Sequence, residues 1–175
     1  MIPEPLHAAV VHFPIAFAML LPLVAVVALI AIRRGGSVRQ WWGIVLAVML
    51  GLAVSSFAAV RTGDADEDRV ERTVGEQPMH THEEAGERFL LLTGALLALS
   101  AGGLLSNRVG SGLRLLGSVA TVGIVVAGWQ VGHSGGELVY RHGAASVYVS
   151  GATDRGAADG GSAAATPGRR RGEDD

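Results

Sequence analysis

The run PLHAAVVHFPIAFAMLLPLVAVVALIAI, Pro5 to Ile32, contains no Asp, Glu, Lys or Arg. A helix that crosses a bilayer needs about 20 predominantly apolar residues, and this run exceeds that length. Three further runs lack the same four residue types: Gln40 to Val60, Phe89 to Asn107 and Leu115 to Gly136. With 49% hydrophobic residues and a mean hydropathy of +0.38 over 175 residues, the chain is too apolar for a soluble domain of its size. The pattern predicts an all-α fold, an integral membrane four-helix bundle within residues 1–150, with spans at about 8–32, 41–60, 89–106 and 114–133. A cleaved signal sequence would need a basic start, whereas the chain opens Met1-Ile2-Pro3-Glu4-Pro5, so the first run is expected to be a retained helix.

Charge placement gives the expected orientation. The connection after the first run carries Arg33, Arg34 and Arg39 and no acid, and the connection before the fourth carries Arg108 and Arg114, again without acids. The stretch from Arg61 to Arg88 holds nine acids against four arginines. Basic short loops stay in the cytoplasm, so both termini and the acidic stretch are expected outside, in a multi-pass protein of a bacterial plasma membrane. Residues 151–175, rich in Gly, Ala, Ser and Asp, lack the apolar content to fold and are expected to be disordered. The chain has no cysteine, which excludes disulfides, thiolate metal sites, iron–sulfur clusters and covalently attached haem. Uncharged spans argue against an ion transporter, which needs buried ionisable groups at the midplane. No phosphate-binding loop or zinc-protease motif is present, and the short Arg169-Arg170-Arg171 run gives nucleic-acid binding no real support. The pattern points away from an enzyme.

Local signals refine the elements. Pro14 leaves the carbonyl of Val10 without its helical donor, which predicts a bend beside His12, either a packing kink or an opening that turns His12 into a cavity. Small residues recur every fourth position at Gly43, Ala47, Gly51, Ser55 and Ala59, and again at Gly94, Ala98 and Gly102 and at Gly128 and Gly132. Such stripes pack helices closely and offer one seam to a homodimer. Thr81-His82-Glu83-Glu84 has the form of a capping box with Thr81 as N-cap, and Glu84 can pair with Arg88 a turn later. Asp64 to Arg72 reads as a short acidic surface helix. Gly132-His133-Ser134-Gly135-Gly136 is expected to end the fourth helix, with Glu137 to His142 as a short separate element.

All six histidines fall at one end of the expected bundle: His7 and His12 heading the first run, His80 and His82 before the third, His133 and His142 after the fourth. Imidazole is costly in lipid unless it binds or relays something. Five residues apart, His7 and His12 differ by about 7.5 Å in depth and face different directions, so pairing across helices is expected instead. Three readings stay open. Haem b needs two histidines on opposite sides of an apolar pocket, for which His12 with His133 or His142 are the first candidates and His7 a further one. Gly86, Gly128 and Gly132 would give it room and Trp129 a wall. A divalent ion such as zinc or copper would use His82, Glu83, His133 and Asp64, with Asp66 or Glu137 in reserve. In the third, the histidines bind no cofactor, and the protein is a structural or partner-binding membrane subunit.

Two longer motifs carry a resemblance. Leu6-His7-Ala8-Ala9-Val10-Val11-His12-Phe13-Pro14-Ile15-Ala16 and Gly132-His133-Ser134-Gly135-Gly136-Glu137-Leu138-Val139-Tyr140-Arg141-His142-Gly143 resemble the opening and closing signatures of the bacterial membrane proteins grouped as domain of unknown function 2231. Thr62-Gly63-Asp64-Ala65-Asp66-Glu67 and His82-Glu83-Glu84-Ala85-Gly86 are similar to its middle signatures. The resemblance covers residues 5 to 147 and implies four helices. Some relatives sit beside cytochrome or Rieske-type domains, which implies a redox setting and a redox partner protein. His7, His12, His82, His133 and His142 match the family's histidines, whereas His80 does not. Ala8 stands where proline is common, and Ala144-Ala145-Ser146 departs from the usual ending.

Overall fold

The computed structural model describes residues 6–148; the expected disordered tail at 151–175 and both chain ends lie outside the described residues. The elements are helices α1 (Leu6–Val10), α2 (His12–Arg33), α3 (Val38–Asp64), α4 (Glu67–Val74), α5 (Glu76–Ala101) and α6 (Arg108–Tyr140), with a 3-10 turn at Gly102–Leu104 after α5. Four helical stretches, Leu6–Arg33, Val38–Asp64, Glu76–Leu104 and Arg108–Tyr140, are long and apolar enough to cross a membrane. Neighbouring helices pack in a closed ring, α2 on α3, α3 on α5, α5 on α6 and α6 back on α2, so the first span lies diagonally opposite the third. Leu21 and Ala25, Trp42, Met49 and Leu52, Leu96, and Ile124 fill the centre. Large apolar side chains such as Met19, Leu23, Val54, Leu91 and Val119 point outward and are well exposed. An outer face this apolar makes sense in contact with lipid rather than water.

Two local expectations are corrected. Thr81 is no N-cap: α5 begins at Glu76, after Gly75 and with Pro78 in its first turn, and the Thr81 hydroxyl bonds back to the Gln77 carbonyl at 2.9 Å. Buried Met79 holds the earlier start in place. Nor do the glycines at 132–136 end the fourth helix, which runs unbroken to Tyr140. Their helical propensity is poor, but contact with α5 and burial of Leu138 outweigh it. The small-residue seams serve packing in part: Ala59 is buried, Gly51 lies against Phe17, Gly102 against Leu113 and Gly128 against Phe89, whereas Gly43 and exposed Gly94 face open space. The acidic helix is present as α4, and Glu84 meets Arg88 at 3.6 Å.

The two ends of the bundle are built differently. At the arginine end the last carbonyls of α5 and its 3-10 extension are capped from neighbouring helices. Trp42 Nε1 donates to the Ser100 carbonyl at 2.8 Å. Arg114, only 5% exposed, donates to the carbonyls of Gly103 and Leu105 and to Ser111 Oγ. Among the described residues no carboxylate pairs with this buried guanidinium; the carbonyl ends of the third span supply its partial negative charge. At the histidine end a second apolar cluster of Val70, Val74, Met79, Leu138 and Ala144, with Tyr148 packed on it, roofs the bundle. The roof hangs on Gly75, which joins α4 to α5 at φ +88° and ψ +156°, a region open essentially to glycine alone. Nothing lies within 4 Å of a Cβ built there, so strain is the whole cost. Gly75→Ala is expected to destabilise the roof by about 1–3 kcal/mol, read as faster hydrogen exchange in α4.

Candidate functional site

Beneath the roof lies a cavity of about 700 Å³ reached by all four spans. Its walls are mostly apolar or glycine, with Pro14, Met79, Phe89 and Val131 among them, and six glycines: Gly63, Gly86, Gly128, Gly132, Gly135 and Gly136. Its two imidazoles are His7 and His82. The first helix breaks at Val11, between α1 and α2, where Pro14 cannot donate to Val10; the Ile15 bond to the Val11 carbonyl is stretched to 3.4 Å. That break leaves His7 facing inward and His12 on the exposed side. His82 arrives from α5, whose early start adds the turns that carry it over the cavity.

The two rings stand across the bundle from each other, 6.2 Å apart between centroids and at 84°. His7 Nδ1 lies 2.9 Å from the Ala59 carbonyl and 3.3 Å from Thr62 Oγ1. A carbonyl only accepts, so Nδ1 carries the hydrogen. His82 Nδ1 lies 2.9 Å from Ser134 Oγ, whose own hydrogen goes to the Val131 carbonyl at 3.0 Å. Having spent its hydrogen, Ser134 accepts, and Nδ1 of His82 is again the donor. Each neutral ring therefore presents Nε2 as a bare lone pair. Both rings are thus fixed from behind through Nδ1, in a cavity lined mostly by apolar residues and glycine together with the carboxylates of Asp64, Asp66, Glu67, Glu83 and Glu87.

The other residues singled out from the sequence go to different places. Asp64, Asp66 and Glu83 also line the cavity, and Glu83 Oε1 is buried without a hydrogen-bond partner. His133 is exposed, stacked on Trp129 at 5.2 Å and 3.8 Å from Glu137, which also takes Arg141 at 2.6 Å. Trp129, 67% exposed, is no cavity wall. His142 borders a separate pocket of about 140 Å³ with Thr81, Ser134 and Glu137. His12 and His80 are exposed. The structure thus brings together His7 and His82, and leaves His12, His133 and His142 outside the cavity. Among the described residues no three His, Cys, Asp or Glu side chains converge as ligands for an ion.

Close backing by glycine is part of the design. A Cβ at Gly135 would sit 3.0 Å from His82 Cε1, and one at Gly63 3.3 Å from His7 Cε1, while one at Gly136 would meet nothing. Gly135→Ala is therefore expected to push the His82 ring off Ser134, read as loss of the His82 Nδ1–H signal in nitrogen-15 NMR. Gly136→Ala should keep that signal and gain about 1 kcal/mol of helix stability.

The sequence model of a family described as "Predicted membrane protein (DUF2231)" matches residues 3–148. No curated protein and no solved structure is significantly similar to the chain. With the match running across the whole bundle and both imidazoles of the cavity, the chain belongs to the DUF2231 family of predicted membrane proteins.

Proposed function

We propose that the cavity would hold haem b through His7 and His82, for electron transfer or redox sensing at one face of the membrane. The observation that carries this reading is the pair of His7 and His82 rings in the cavity, 6.2 Å apart between centroids and each anchored through Nδ1. Haem suits a site with two imidazoles and no convergent third ligand, because the porphyrin supplies the remaining four nitrogens. When bound, its iron supplies one-electron chemistry. The chain's own part is to fix both rings through Ala59 and Ser134, to give clearance through the glycines, and to shed water under the Val70–Val74 roof. The arginine-rich loops at the opposite end favour placing the histidine end outside a bacterial plasma membrane, where a soluble redox partner would meet it.

Purified protein is expected to show a Soret band with sharp α and β bands on reduction. Carbon monoxide should leave the spectrum little changed, since two histidines fill both axial positions. A colourless protein with full helicity after haem supplementation would sink the proposal. A second reading draws on the partnerless Oε1 of Glu83 with Asp64 beside it in the cavity: a divalent cation held by these carboxylates and His82. Metal analysis of the same sample separates the two, since stoichiometric zinc or copper without a Soret band favours the cation.

A further inference from the structure

The two imidazoles are held in different ways. His7 is fixed chiefly by a main-chain carbonyl, that of Ala59 at 2.9 Å, which no substitution removes, with Thr62 Oγ1 farther off at 3.3 Å. His82 is fixed by a side chain, Ser134 Oγ at 2.9 Å. From this asymmetry we infer that Ser134 is the positioning residue that sets the reduction potential of the site, by accepting the Nδ1 hydrogen of His82. The inference rests on the haem reading.

The direction follows from charge. An acceptor on Nδ1–H gives the ring partial imidazolate character, makes Nε2 a stronger donor and so favours the oxidised, more positive iron. Ser134 is well placed for this role. Its hydrogen goes to the Val131 carbonyl, which leaves an acceptor lone pair on the side of Nδ1. It is half-buried and borders the 140 Å³ pocket on its other side, so small changes there leave the apolar centre of the bundle untouched.

The test is a spectroelectrochemical titration of the haem-loaded full-length protein and three variants. Ser134→Ala should move the midpoint upward, raising the reduced-to-oxidised ratio at the wild-type midpoint by up to about tenfold, the size of one neutral hydrogen bond. Ser134→Asp, a stronger acceptor, should move it downward, and Ser134→Thr should leave it near wild type. A purely structural residue would change haem content without shifts of opposite sign. A Soret band with the same midpoint in all four proteins overturns the inference while the haem reading stands. If the wild type holds no haem, that reading fails by itself. Nitrogen-15 NMR of the cofactor-free protein then decides Ser134: Nδ1–H on His82 supports its accepting role, and Nε2–H overturns it.

Discussion

His7→Ala and His82→Ala are each expected to lower haem per protein by at least about tenfold, since loss of a ligand exceeds the 10–100-fold cost typical of losing its outer partner. His12→Ala, His133→Ala and His142→Ala should each retain the Soret band, because those rings lie outside the cavity. The contrast is sharp because His7 and His12 are neighbours in sequence, as are the motif residues His133 and Ser134. His82→Gly supplied with free imidazole should recover the band, since the void left by the ring is open to a molecule of the same shape. Retention of the wild-type spectrum in both His7→Ala and His82→Ala would exclude the two residues as ligands. Loss in His12→Ala instead would show that the first helix turns the other way around its break.

Arg114→Met should be the most damaging change far from the cavity. It removes the donor that Arg114 supplies from α6 to the carbonyls of Gly103 and Leu105, in surroundings where water is scarce. A buried acceptor left without a donor costs about 1–3 kcal/mol, so a total loss of about 2–4 kcal/mol is expected. Arg114→Lys should recover part of it, because one ammonium cannot reproduce the fork of the guanidinium. Thermal or denaturant unfolding in detergent, followed by the fluorescence of Trp42 at the same end, provides the readout. An unchanged unfolding midpoint in Arg114→Met would mean that the caps contribute nothing. The spectrum of the cavity should be unaltered in either variant while the protein stays folded, since a long apolar interior separates the two ends.

The spans were legible because absence of charge over such lengths has few physical causes. The gathering of six histidines at one end followed from antiparallel helices alone. Which histidines meet did not, because that depends on rotation about each helix axis. For the first span, rotation is set by the break at Val11, and the bend that Pro14 announced turns His7 inward rather than His12. For the third span, charged residues from Glu76 to Arg88 look like a loop to any hydropathy reading, yet they are helical. Gly75 followed by Glu76 and Pro78 was the true start signal, ahead of the more conspicuous Thr81. Ala59 could not have been found at all, since it acts through its carbonyl and any residue has one. Ser134 and Gly135 carried a faint signal, lying in a glycine-rich run that a helix tolerates only when something must come close.

The histidine pair draws one contribution from each of the four spans: rings from the first and third, Nδ1 acceptors from the second and fourth. That division has a consequence for biogenesis. A nascent chain that has delivered three spans to the insertion machinery holds both imidazoles but has nothing to fix His82, because Ser134 is still in the ribosome. On the haem proposal, capture of the cofactor waits until the last helix is in place, so half-built protein would leave haem to finished copies.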